Sequence, residues 1–99
     1  MELQEIKRSE NITPDYDFFM RDDSVMTIAL EVLTALSNNK KIILKAEGEL
    51  IPNAVAVANI VTENMLKGNS KIQDIKLDSI ISEEDGQMIS NIVIVLIKN

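Results

Sequence analysis

The rhythm of apolar and polar positions changes repeatedly along the 99 residues, and each change marks an element. Residues 1–15 are polar and mixed in charge, with isolated Leu3, Ile6 and Ile12 and a break at Pro14. This predicts a loose, flexible N-terminal arm, the rival readings being a short edge strand or a segment that docks on a partner. Tyr16 to Met20 is short and aromatic-rich, as strands are. Ser24 is placed to cap a helix whose apolar positions Val25, Ile28, Ala29, Val32, Leu33 and Leu36 recur at helical spacing. Asp22 and Asp23 suit the positive end of that helix, and Asn38-Asn39 stops it.

The run Ile42-Ile43-Leu44 within Lys41–Ala46 predicts an interior strand. Gly48 allows a sharp turn, and Pro52 opens a second helix, with Asn53 as an alternative cap. Ala54, Val55, Val57, Ala58, Ile60, Val61 and Met65 give that helix a broad apolar face, and Gly68 fits the left-handed position past its end. Residues 71–81 and 88–97 then bracket Asp85-Gly86, a hairpin signal. In the first arm Ile75, Leu77 and Ile81 share a face, and Asp74, Lys76 and Asp78 take the other. The second arm is apolar on both faces: Ile92, Ile94 and Leu96 on one, Val93, Val95 and Ile97 on the other. It is therefore a central strand covered on both sides, or a strand with one face turned to a partner. The order β-α-β-α-β-β predicts an α+β two-layer sandwich over residues 16–99, a four-stranded mixed sheet with two helices on one face.

Composition narrows the chemistry. The chain has no cysteine and no histidine, which removes thiol chemistry, the commonest general base and the commonest transition-metal ligand. Lys and Arg total 10 against 16 Asp and Glu, a formal net charge of −6, which repels phosphate unless the basic residues cluster. No apolar run approaches the ~20 residues that span a bilayer, and the first residues carry no signal-peptide pattern. A cytoplasmic, non-enzymatic protein is expected, with no cofactor, no metal, no membrane and no small-molecule substrate.

Several separated motifs in this order resemble the Alba family, small archaeal chromatin proteins of the Sac10b type. They are Ser24-Val25-Met26 opening the first helix, Ile42-Ile43-Leu44-Lys45-Ala46-Glu47-Gly48 at the strand-turn, and Glu84-Asp85-Gly86 in the hairpin. The resemblance runs from about Asp17 to Lys98, leaving the arm uncovered. It implies a dimer that binds duplex DNA, and often RNA, without strong sequence preference. It also implies contacts from two lysines before the first helix and two arginines flanking the turn glycine, with the hairpin arms reaching along the duplex. An aromatic residue at the end of the second helix pairs dimers further.

At those contact positions this chain departs from the pattern. The lysines fall on Asp22 and Asp23, and the arginines flanking Gly48 fall on Glu47 and Glu49. Basic positions in the second helix fall on Thr62 and Asn64, the pairing aromatic falls on Met65, and the hairpin tip is the acidic Ser82-Glu83-Glu84-Asp85. Since neutralised phosphates supply most non-specific affinity, the expectation is that nucleic-acid contact is weak or lost. The chain would then act through protein association, as a homodimer or as a heterodimer with a basic Alba-like subunit that places it at the nucleoid. The alternative is weak direct binding to DNA or RNA through Arg21, Lys45 and a hairpin stripe of Lys71, Lys76 and Lys98. Dimer or dimer-pairing contacts are expected from Met65, Val93, Val95 and Ile97. The acidic set also admits a solvated face, a docking face for a basic partner, or a divalent-cation site, for which no EF-hand spacing exists.

Overall fold

A computed structural model describes residues 16–99; the arm expected at residues 1–15 lies outside them. Six main elements follow in order: β1 (Tyr16–Phe19), α1 (Val25–Asn39), β2 (Lys41–Glu47), α2 (Ile51–Ile60), β3 (Ser70–Ile81) and β4 (Met88–Lys98). A short 3₁₀ turn at Gly48–Leu50 leads into α2, and a wider π turn at Val61–Met65 follows it. The strands form one sheet in the order β1-β2-β4-β3, with β1 parallel to β2 and the other two pairings antiparallel. The α+β sandwich read from the sequence is the observed fold.

Ser24 caps α1 as expected, its hydroxyl accepting the Thr27 amide at 3.1 Å. The helix ends on Lys40, which takes the left-handed conformation (φ 66°) and donates its amide to the Leu36 carbonyl at 2.8 Å. Asn38 and Asn39 thus lie inside the helix, and a lysine performs the role glycine usually has. Pro52 is the second residue of α2 and not the first, and no side chain caps that helix. Gly48 has φ +55°, so its turn does require a residue tolerant of left-handed backbone.

The core lies between the helices and one face of the sheet. Ile28, Val32 and Leu36 of α1 and Val57 of α2 are fully buried beside Ile42, Leu44, Ile94 and Leu96. In β3 the register shifts between Ile72 and Asp74, so that Gln73 is an extra residue. This bulge puts Ile72 and Ile75 on the same, core-side face although their numbers differ by three, and likewise brings Lys71 and Lys76 together on the opposite face.

Candidate nucleic-acid interface

The loop before α1 and the turn after β2 lie at the same end of the parallel β1–β2 pair, because both are reached at the strands' carboxyl ends. Asp22, Asp23, Glu47, Gly48 and Glu49 are all exposed there. Asp23 is already engaged. Its Oδ1 accepts the Ser24 amide at 2.8 Å, and its Oδ2 meets Arg21 at 3.2 Å. The backbone bond first, and Arg21 second, hold its pKa below the usual carboxylate range.

The two cations expected at this end both have acidic partners. Arg21 grips Glu31 through two donors, Nη1 to Oε1 at 2.9 Å and Nη2 to Oε2 at 2.5 Å, and reaches Asp23 besides. The Glu31 hydrogen bond raises the guanidinium pKa, and Arg21 in turn lowers that of Glu31. Such a bidentate fork is the strong geometry for an arginine. Lys45 donates to Asp17 Oδ2 at 3.2 Å and sits over the Phe19 ring, 5.4 Å from its centroid. A shallow pocket of about 390 Å³ opens beside it, lined by Phe19, Lys45, Glu47 and Asn91 among others. Glu31 and Asp17 were not singled out from the sequence. They are ten and 28 residues from their partners, so only the packing of α1 beside its own loop and the β1–β2 register bring them in.

The hairpin lysines are placed differently from expectation. Lys71 and Lys76 are exposed on the helix-free face of the sheet, interleaved with Asp74 and Asp78. Lys98 pairs with Ser70 and belongs to the other face, so the three do not form one stripe. Val93, Val95 and Ile97 are half-buried on the helix-free face. Met65 is half-buried and packs on its own core. Thr62 is buried and donates to the Ala58 carbonyl at 2.8 Å, while Asn64 is exposed. A more exposed apolar set lies elsewhere. Ile75, Leu77, Ile81 and Met88 are between 51% and 68% exposed on the core-side face of the hairpin. The cause is length: the 12-residue β3 spans ~40 Å. The 10 residues of α2 and the 5 of the π turn that continues it together cover only ~20 Å. No group of three or more metal-ligating side chains is found among the described residues, and no helix there is long and apolar enough to cross a membrane.

The Alba family model matches residues 20–79. Among solved structures, Alba from Thermoplasma volcanium superposes with a TM-score of 0.68 at 34% identity, over 82% of this chain and 98% of that one. ALBA1 from Trypanosoma brucei also superposes with a TM-score of 0.68, at 17% identity, over 86% of this chain and 70% of that one, a likeness of fold. A comparison with curated protein sequences gave no match. The match over residues 20–79 spans both the loop before α1 and the turn at Gly48, and the chain belongs to the Alba family, a nucleic-acid-binding family whose members are in general not enzymes.

Proposed function

We propose that this Alba subunit has given up duplex contact through its loop face and works by protein association, the sharpest form being a heterodimer with a basic Alba-like subunit. The observation that carries this is the joint state of the loop end. Asp22, Asp23, Glu47 and Glu49 are exposed where the family resemblance expects cations, and the cations that remain, Arg21 and Lys45, are held by Glu31, Asp23 and Asp17. Four anions in place of four cations remove counterion release and add repulsion toward phosphate. A basic partner meets the opposite situation, since the same face attracts it and speeds its encounter.

The exposed hairpin apolars Ile75, Leu77, Ile81 and Met88 support association. Exposed apolar side chains gathered on one face of a small domain, here on either side of the Ser79–Ser90 pair, fit a surface that another chain covers. In a mixed pair the acidic chain would dilute the partner's cationic face and so tune how tightly DNA is held. The alternative of weak direct binding has less behind it, because Lys71 and Lys76 alternate with carboxylates and Arg21 and Lys45 are paired. A titration against duplex DNA and structured RNA at low salt separates the two. Loss of contact predicts no shift at micromolar protein, and tight binding with a steep salt slope defeats the proposal. Mixing with a basic Alba subunit should yield a heterodimer by native mass spectrometry; a mixture that stays as two homodimers counts against that form of it.

A further inference from the structure

The helix-free face of the sheet carries charges in an order that the register makes explicit. Across the strands, Lys41, Ile97 and Lys71 form one row. The next is Asp17, Ile43, Val95 and Asp74, and the third is Phe19, Lys45, Val93 and Lys76. The fourth is Glu47, Asn91 and Asp78. Every row has like charges toward its two ends and an uncharged middle, and the sign reverses from each row to the next. The Gln73 bulge is what completes the order, since without it Lys71 would point into the core side. Ile43, Val93, Val95 and Ile97 run through the middle as a half-buried apolar strip, with both helices on the other side of the sheet.

Such an order fits a polyanion poorly, because two of its four rows are anionic. It fits itself well. A two-fold axis lying in the face, parallel to the rows and midway between the second and third, sets the first row against the fourth and the second against the third. Every lysine row then meets a carboxylate row. Strand on strand, the opposed charges are those of β3 and Lys41 with Glu47, because Lys45 falls opposite Ile43 and stays paired with Asp17 of its own chain. On β3, Lys71 comes opposite Asp78 of the second copy and Asp74 opposite Lys76, while Val93 and Val95 meet at the centre. The other in-plane axis, along the strands, would stack lysine on lysine. The geometry points to self-pairing: a second copy of this chain packs on the helix-free face, sheet against sheet with strands antiparallel, through Val93 and Val95 and the alternating charges of β3.

The four rows cover ~20 Å along the strands and about 14 Å across them, at the usual strand spacings. That is about 280 Å² on each copy, below the ~1,200 Å² in total that stable specific interfaces bury. The pairing is therefore a weak, transient one carried by charge complementarity, needs protein near 100 µM or above (order of magnitude) and fades with salt. It involves neither the exposed hairpin apolars nor DNA, so it adds a doubling to whatever assembly the hairpin makes, and it stands or falls independently of the lost duplex contact.

A charge-swap series read by sedimentation velocity at low salt tests it. Wild type should show a concentration-dependent doubling of mass. Lys71→Asp with Lys76→Asp makes β3 wholly acidic on this face, and Asp74→Lys with Asp78→Lys makes it wholly basic. Each should weaken the doubling roughly tenfold or more, as like charges then face each other. Mixing the two variants should restore it, because acidic β3 now meets basic β3. Equal melting temperatures of the variants exclude unfolding as the cause. A wild type that never doubles, variants that double like wild type, or a mixture that fails to recover each overturn the proposal.

Discussion

Restoring cations at the loop end should create duplex binding, and its size follows from where the residues sit. The perturbation is Asp22→Lys, Asp23→Lys, Glu47→Arg and Glu49→Arg together. All four positions are exposed, so the substitutions enter no packed core and the fold should persist. Each reversal adds two charges, moving the formal net charge of the chain from −6 to +2. Four new phosphate contacts per chain give a slope of log affinity against log salt of about −3.6, at ~0.9 per phosphate. Between 50 and 200 mM salt this is roughly a hundredfold loss of affinity per chain, and more if two chains grip one duplex. Arg21 adds little, because Asp23→Lys leaves its Glu31 fork in place. Fluorescence anisotropy of a labelled duplex across that salt range reads both affinity and slope. A folded quadruple variant that does not bind at 50 mM salt, or binds with a flat slope, refutes the placement of these four residues at a duplex-contacting face.

Other consequences are separable. Arg21→Ala should lower the melting temperature at pH 7, and the deficit should shrink as pH falls below ~4. Asp23 and Glu31 have depressed pKa values, so their contribution is present above the ordinary carboxylate range and lost as pH falls through the folded values; a deficit independent of pH contradicts this. Leu44→Ala, at a fully buried site between sheet and helices, should cost about 2–5 kcal/mol by urea unfolding. Lys40→Gly should gain about 0.5–1 kcal/mol in the same assay, since φ 66° is natural for glycine and strained for lysine. Leu77→Asp, at 68% exposure, should leave the monomer folded and abolish association through the hairpin, seen as a smaller mass by light scattering.

What the sequence disclosed was local. Helix α1 was legible because Ile28, Val32 and Leu36 repeat at its period behind a serine cap. The hairpin was legible because Asp85-Gly86 makes its own turn: Gly86 is left-handed and Asp85 Oδ1 accepts the Gln87 amide at 3.1 Å. What it hid was non-local or broke a rule of spacing. Nothing in the order of elements says that β4 inserts between β2 and β3. The bulge at Gln73 hides that Lys71 and Lys76 share a face, since plain alternation sets them on opposite faces, while Lys98 lies on the other face simply because it follows the alternation of Ile94 and Leu96. The ion partners of Arg21 and Lys45 depend on tertiary placement of Glu31 and Asp17. The overhang of the hairpin beyond the helices depends on comparing two lengths, and only their superposition reveals that Leu77 has nothing of its own to cover it.

Fold and contact chemistry in this chain separate at single residues. Gly48 is constrained by its backbone alone: φ is +55°, and a Cβ built there would meet nothing within 4 Å. Its neighbours Glu47 and Glu49 are constrained by nothing in the core, being exposed on either side of it. The turn therefore demands the glycine and leaves the sign of the flanking charges open. The same holds at the other loop, where Ser24 is committed to the cap while Asp22 is exposed. Exposed substitutions of this kind change stability by only a few tenths of a kcal/mol, whereas each reversal gains or loses a phosphate contact. An Alba fold can thus pass from polyanion contact to partner contact with its core untouched. On the function proposed above, the charges that decide which it does are those of Asp22, Asp23, Glu47 and Glu49, and the pairing of Arg21 with Glu31 offsets a cation that would otherwise oppose them.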